Sequence, residues 1–253
     1  MSGDSLQGRV VLVTGSGRGL GAAIARAAGA AKARVVVNAR QDARALEAVA
    51  ADVERGGGDA LGVRANVCVF EEARGLVQRA LARWGRIDVL VNTVGDFHWD
   101  ALVDLEPAEW RRVIASNLDS VFHMCRLVVP HMRERRFGRI VNFAAVGSAA
   151  GQGEPQMAAY CAAKAGVIAL SRSLALEEAR AGITVNVVAP GLLRDEPGPA
   201  AGLAPAEKAL QARVPVGHAG RAADVVRAVL FFASPAAEFV TGQVIEVAGG
   251  ART

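Results

Sequence analysis

Cysteine, histidine and aromatic side chains are scarce in this chain: three cysteines, four histidines, a single tyrosine and an aromatic fraction of 5% among 253 residues. Cys68, Cys125 and Cys161 are odd in number and show no paired metal-type spacing, which predicts reduced thiols and a cytoplasmic protein. No cysteine/histidine cluster suggests a catalytic metal. No apolar run is long enough to span a bilayer, and Met1-Ser2-Gly3-Asp4-Ser5 lacks the basic and apolar regions of a signal peptide. Charge of one sign is scarce as well. The isoelectric point is near 9.4, yet the net charge is only +4, and the arginines are scattered among acids, with one short cluster at Arg133-Glu134-Arg135-Arg136. The basic face that nucleic-acid binding requires is therefore missing. No linker or internal repeat divides the chain, so residues 1–253 are expected to form one domain.

What is present is a 52% hydrophobic composition organised in alternating periods. Short β-branched runs at Val10–Val13, Arg34–Asn38, Ala60–Ala65, Ile87–Asn92, Arg139–Phe143, Thr184–Val188 and Val244–Val247 read as strands. Helical stretches lie between them, among them a long one from Pro107 to Arg133, which Pro130 should bend or end. Another carries Tyr160 and stops at Gly182. Strand–helix alternation predicts an α/β fold, a single-domain Rossmann-type doubly wound parallel sheet with helices on both faces. Ligands of such sheets bind outside the carboxyl ends of the strands.

At the first of those ends stands Thr14-Gly15-Ser16-Gly17-Arg18-Gly19-Leu20-Gly21, between a strand and an alanine-rich helix. Glycines there let the backbone turn and approach a pyrophosphate at the positive end of the helix, the context of a dinucleotide site. Tyr160 and Lys164 are four residues apart on one helix and hence neighbours. An ammonium beside a phenol stabilises the phenolate and brings the tyrosine pKa down toward neutrality, which suits proton exchange with a substrate oxygen. Cofactor choice is read at the end of the second strand. An NAD site places an acid there, whereas this chain has Val37-Asn38-Ala39-Arg40 and no acid before Asp42. Arg40, with Arg18 from the glycine loop, can grip a 2′-phosphate, which predicts NADP(H).

Together these features resemble the short-chain dehydrogenase/reductase family, and within it the 3-oxoacyl-thioester reductases. The shared markers are the loop at residues 14–21, Asn92-Thr93-Val94-Gly95, Asn117, Tyr160-x-x-x-Lys164, Pro190-Gly191, and Thr241-Gly242 with Gly249-Gly250. The resemblance implies that Lys164 also binds the nicotinamide ribose and that Asn117 holds a water linking that lysine to solvent. It places Asn66-Val67 near the adenine, where the family usually has Asp-Val, and Asn92 as a brace for the turn after strand four. Gly95, Pro190 and Gly191 fall in the cofactor site. A segment at about residues 192–212 resembles a substrate lid. A homotetramer is implied, packed through the helices around residues 107–133 and 157–180, acting on a small-molecule or acyl-thioester substrate with no nucleic-acid or membrane partner.

One departure stands out. The family's catalytic serine at the end of strand five is replaced, in Phe143-Ala144-Ala145, by Ala145, and Ser148 is the nearest candidate to substitute for it. The expected activity is NADPH-dependent reduction of a carbonyl, a 3-oxoacyl thioester or related ketone, with Tyr160 as proton donor. Two alternatives remain open on sequence: an NAD-dependent alcohol or sugar dehydrogenase, and a catalytically weak NADP-binding sensor or scaffold lacking the serine. Phe97, His98 and Trp99, after the fourth strand, either line the substrate pocket or pack under a loop.

Overall fold

A computed structural model describes residues 6–194, 209 and 211–251. Seven strands form one parallel sheet: β1 (Val10–Thr14), β2 (Arg34–Ala39), β3 (Asp59–Arg64), β4 (Val89–Asn92), β5 (Gly138–Phe143), β6 (Ile183–Pro190) and β7 (Val244–Val247). Their order is β3-β2-β1-β4-β5-β6-β7, so the direction of winding reverses between β1 and β4. The helices are α1 (Gly19–Ala30), α2 (Ala43–Arg55), α3 (Phe70–Trp84), α4 (Pro107–Ile114), α5 (Ser120–Arg135), α6 (Ala158–Glu178) and α7 (Ala222–Ala233).

The near-continuous apolar strands follow from burial on both faces. Val11, Val13, Val35, Val37, Val89 and Val91 pack beneath α1, α2 and α7. Val10, Leu12, Val36, Leu90 and Ile140 point the other way, beneath α3, α5 and α6. Side chains alternate across a strand with a period of two, so one residue type fills both layers. Each fully buried valine or leucine contributes roughly 1.5–3 kcal/mol of transfer free energy.

Three expectations are corrected or narrowed. The helix from Pro107 is not continuous: residues Ala115–Asp119 form a π-turn in which the Ser120 amide donates to the Ala115 carbonyl. Of the two outcomes expected at Pro130, a bend or an end, the end is excluded: α5 continues to Arg135. Both Pro130 and Arg126, whose carbonyl loses its helical donor to the proline, lie on the exposed face, where water can satisfy it. The run Ala158–Ala181 reaches the length and mean hydropathy of a membrane span, contrary to the expectation that no run would, although α6 packs on β5 and β6. Most of the expected lid at 192–212 lies outside the described residues.

Candidate active site

At the β1/β4 reversal, the strand ends open into a cleft of about 830 Å³. Its floor is the loop Gly15–Gly21, and its walls come from the ends of β2, β4, β5 and β6 and from the π-turn. Lacing from β2 fixes the loop. The Asn38 amide group donates to the Val63 and Ala65 carbonyls at 3.2 and 3.0 Å, and its oxygen accepts from the Gly15 N–H at 3.1 Å. The Ser16 hydroxyl donates to the Val13 carbonyl at 2.7 Å and accepts from the Asn38 N–H at 2.9 Å. Asn38 thus borders the cleft as a brace, and Ser16 is buried outside its lining because both its polar groups face inward.

The floor fits a dinucleotide by three observations. A Cβ on Gly21 would lie 2.6 Å from the Gly15 carbonyl oxygen and 2.7 Å from Thr93 Oγ1, so only glycine allows the loop and β4 to approach this closely. Gly15 itself has φ of +61°. At the start of α1, Arg18 provides no side-chain cap and the first turn contains no acid, leaving amide N–H groups and the helix dipole to an incoming anion. Gly17, Gly19 and Leu20 complete this lining.

Arg18 and Arg40 both border the cleft, are exposed, and make no ion pair among the described residues. Asp42, the first acid after β2, spends its carboxylate on capping α2, accepting from the Ala45 N–H at 2.9 Å. Along the same wall, the side-chain oxygen of Asn66 accepts from the Cys68 N–H at 3.2 Å. Val67 is buried, and its carbonyl meets His123 Nδ1 at 3.1 Å.

The opposite end of the cleft gathers Tyr160, Lys164, Asn117 and Gly95. The π-turn explains Asn117. Its extra residue turns the amide inward, where Nδ2 donates to the Asp96 and Val113 carbonyls at 2.6 and 2.9 Å. Asn117 Oδ1, fully buried, has no hydrogen-bond partner among the described residues. A Cβ built on Gly95 would lie 2.6 Å from that oxygen and 3.3 Å from Lys164 Nζ, so three residues converge on a point where no further side chain fits. Pro190 and Gly191 border the cleft from β6, with the Gly191 N–H tied to the Val247 carbonyl at 3.0 Å.

Lys164 is only 5% exposed, and its ammonium donates to the Phe143 carbonyl at 3.0 Å. Burial lowers its pKa to about 8. Nζ sits 5.5 Å from the centre of the Tyr160 ring. Burial, with a smaller contribution from Cys161, pushes the Tyr160 phenol up rather than down. The expected lowering by lysine is not seen: desolvation of the buried phenol sets the direction of the shift.

A buried polar ladder that sequence reasoning missed sets α6 against the sheet. Asn92 Nδ2 donates to Asn142 Oδ1 at 2.8 Å, Asn142 Nδ2 to Ser171 Oγ at 2.9 Å, and Ser171 Oγ to the Val167 carbonyl at 2.6 Å. Asn92, expected beside the cofactor as a brace for the turn after β4, instead ties β4 to β5 and does not line the cleft. The register pairing Asn92 with Asn142 is the signal that could have found the ladder. Thr93 and Ser116 also border the cleft without having been singled out.

Ser148 is a correction. It is buried, opens a short 3₁₀ turn at Ser148–Ala150 and does not line the cleft. Its N–H donates to the Ala145 carbonyl at 3.1 Å, in a turn that uses Gly147 at φ +79°. Ala144 occupies the lining there. Phe97 also lines the cleft, whereas His98 lies outside it, 3.4 Å from Glu109 and 3.6 Å from Asp100.

Comparison with known proteins agrees with this geometry. The family described as enoyl-(acyl carrier protein) reductase matches residues 15–252. The chain is 38% identical over 247 residues to the 3-oxoacyl-[acyl-carrier-protein] reductase FabG of Haemophilus influenzae, covering 97% of this chain and 98% of that one. It is 39% identical to the corresponding Synechocystis reductase over the same shares of the two chains, and 36% identical to Escherichia coli FabG, again over 97% and 98%. A crystal structure provisionally assigned as a short-chain alcohol dehydrogenase from Sinorhizobium meliloti superposes with a TM-score of 0.89, at 30% identity and 98% coverage of both chains.

Proposed function

The chain belongs to the short-chain dehydrogenase/reductase family of oxidoreductases, and we propose that it is an NADPH-dependent carbonyl reductase acting on a 3-oxoacyl thioester or a related ketone. The observation that carries this reading is the convergence of Tyr160, Lys164 and the unpartnered Asn117 oxygen at the deep end of a glycine-floored cleft. A pure binding site has no need of a buried lysine one helical turn from a tyrosine.

When bound, the nicotinamide supplies hydride to the substrate carbon. Tyr160 donates the proton to the carbonyl oxygen, and its raised pKa keeps it protonated and ready as an acid at neutral pH. Lys164 holds the ribose end of the cofactor and, with a pKa of about 8, can return a proton toward Tyr160. Asn117 Oδ1 anchors a water on the path from Lys164 to solvent. The main-chain N–H groups at the start of α1 take the pyrophosphate. Arg18 and Arg40 take the 2′-phosphate, which is supported by the absence of any ion pair to either among the described residues and by the engagement of Asp42 in helix capping. Asn66 and Val67 border the adenine.

Ala145 leaves the carbonyl without the hydroxyl donor that the family pattern supplies, so turnover should be slow; removing one such donor costs about 10²–10³ in rate. The resemblance supports a homotetramer in the cytoplasm. The test is NADPH consumption by the purified protein, with 3-oxoacyl and enoyl thioesters compared. Oxidation of NADPH by the 3-oxoacyl compound alone supports the reading. Exclusive use of the enoyl compound, or of NADH, contradicts it.

A further inference from the structure

Phe97 is the one large apolar side chain of the 97–103 loop that lines the cleft, and it is 53% exposed. Its ring meets the Tyr160 ring edge-to-face, with centroids 6.2 Å apart and planes at 78°. On its other side Trp99, 56% exposed, meets it at 5.8 Å and 85°. Phe97 thus stands edge-to-face between the proton donor, with which it lines the cleft, and Trp99, which backs it from outside the cleft lining.

This wall is held in shape before any ligand arrives. At one end, the Asp96 carbonyl accepts from Asn117 at 2.6 Å, the Asp96 carboxylate accepts from the Phe97 N–H at 2.9 Å, and Arg112 pairs with the same carboxylate. Just beyond Trp99, the Asp100 N–H donates to the Gln156 carbonyl at 2.9 Å, tying the loop to the segment that leads into α6. Half-exposed aromatic rings on a loop pinned at both sides are a preformed surface, which lowers the ordering cost of binding. Across the cleft, Ala144 adds a small apolar side chain.

We propose that Phe97 and Trp99 select substrates in which the carbonyl carries an aromatic ring, so that the compound reduced is an aryl ketone, free or as its 3-oxo-3-aryl thioester. The inference rests on the carbonyl-reductase reading and narrows its substrate class. A flat ring continues the edge-to-face run beside Tyr160 and gains an aromatic pair interaction that a flexible alkyl chain of similar area cannot make. Such pairs are worth up to about 1.5 kcal/mol beyond buried area, which corresponds to roughly tenfold in discrimination.

The test compares kcat/KM for 3-oxo-3-phenylpropionyl and 3-oxooctanoyl thioesters of N-acetylcysteamine, with saturating NADPH, in the wild type and in Phe97→Leu and Trp99→Leu. The expected phenyl-to-alkyl ratio is about 10 in the wild type, falling toward 1 in Phe97→Leu and in part in Trp99→Leu. Val103→Ser, on the same loop but outside the cleft lining, should keep the wild-type ratio and so reports on folding of the loop. A wild-type ratio near or below 1, or one that survives in both aromatic variants, overturns the proposal. If neither thioester is turned over, the reductase reading fails separately. Calorimetric binding of the same pair to the NADP⁺-loaded protein then decides the aromatic preference: tighter binding of the phenyl compound, lost in Phe97→Leu, supports it, and equal binding overturns it.

Discussion

Replacing Arg40 by alanine should weaken NADPH binding while leaving NADH binding nearly unchanged. Arg40 stands just past the end of β2, exposed and without an ion pair among the described residues, and borders the same cleft as Arg18. A hydrogen bond between charged groups contributes about 1.5–3 kcal/mol, and each 1.4 kcal/mol is a factor of ten in affinity. Because Arg40 is exposed, water and salt screen the pair, and the expected loss sits at the lower end, roughly tenfold. The Arg18→Ala loss should be similar. The double variant should lose less than the product of the two, because both guanidinium groups would share one phosphate. Titration of NADPH and NADH by fluorescence or calorimetry at two ionic strengths reads this directly, and the NADPH penalty should shrink at higher salt. Equal losses for both dinucleotides, or no loss for either, would refute the assignment of Arg40 to the 2′-phosphate.

Restoring the family hydroxyl with Ala145→Ser should raise kcat by about tenfold or more with little change in NADPH affinity, as steady-state kinetics would show. Gly95→Ala drives a methyl to 2.6 Å from Asn117 Oδ1; it should abolish most turnover and cost about 1–3 kcal/mol in urea denaturation. Lys164 binds fewer protons folded than unfolded between its folded pKa of about 8 and its ordinary 10.5. Wild-type stability relative to Lys164→Met should therefore be flat below pH 8 and rise from pH 8 to 10.5, measured by denaturation across that range.

The strand pattern was legible because both faces of the sheet are buried: runs such as Val10–Val13 have no polar option and announce themselves. The glycine loop was legible for a related reason, since close approach of the Gly15 carbonyl to Gly21 excludes other residues. The π-turn at Ala115–Asp119 was not, because one extra residue in a helix leaves no mark in the hydrophobic period of the sequence. Nor was the Tyr160 pKa direction, which follows from burial of the phenol, a property that four-residue spacing does not carry. Ser148 looked close enough in sequence to replace the missing serine, yet it is buried in the turn after Gly147 and does not line the cleft. Asn38 carried a dual signal, at a cofactor position and at a strand end, and its hydrogen bonds make it a brace.

The most direct test of the account is NADPH oxidation by Tyr160→Phe with a 3-oxoacyl thioester, with NADPH affinity measured in parallel. The account predicts that affinity stays within about twofold of wild type while turnover falls by at least about 10²-fold, the scale of general acid catalysis. Turnover retained at the wild-type level would contradict it, because the proton would then come from a group other than Tyr160.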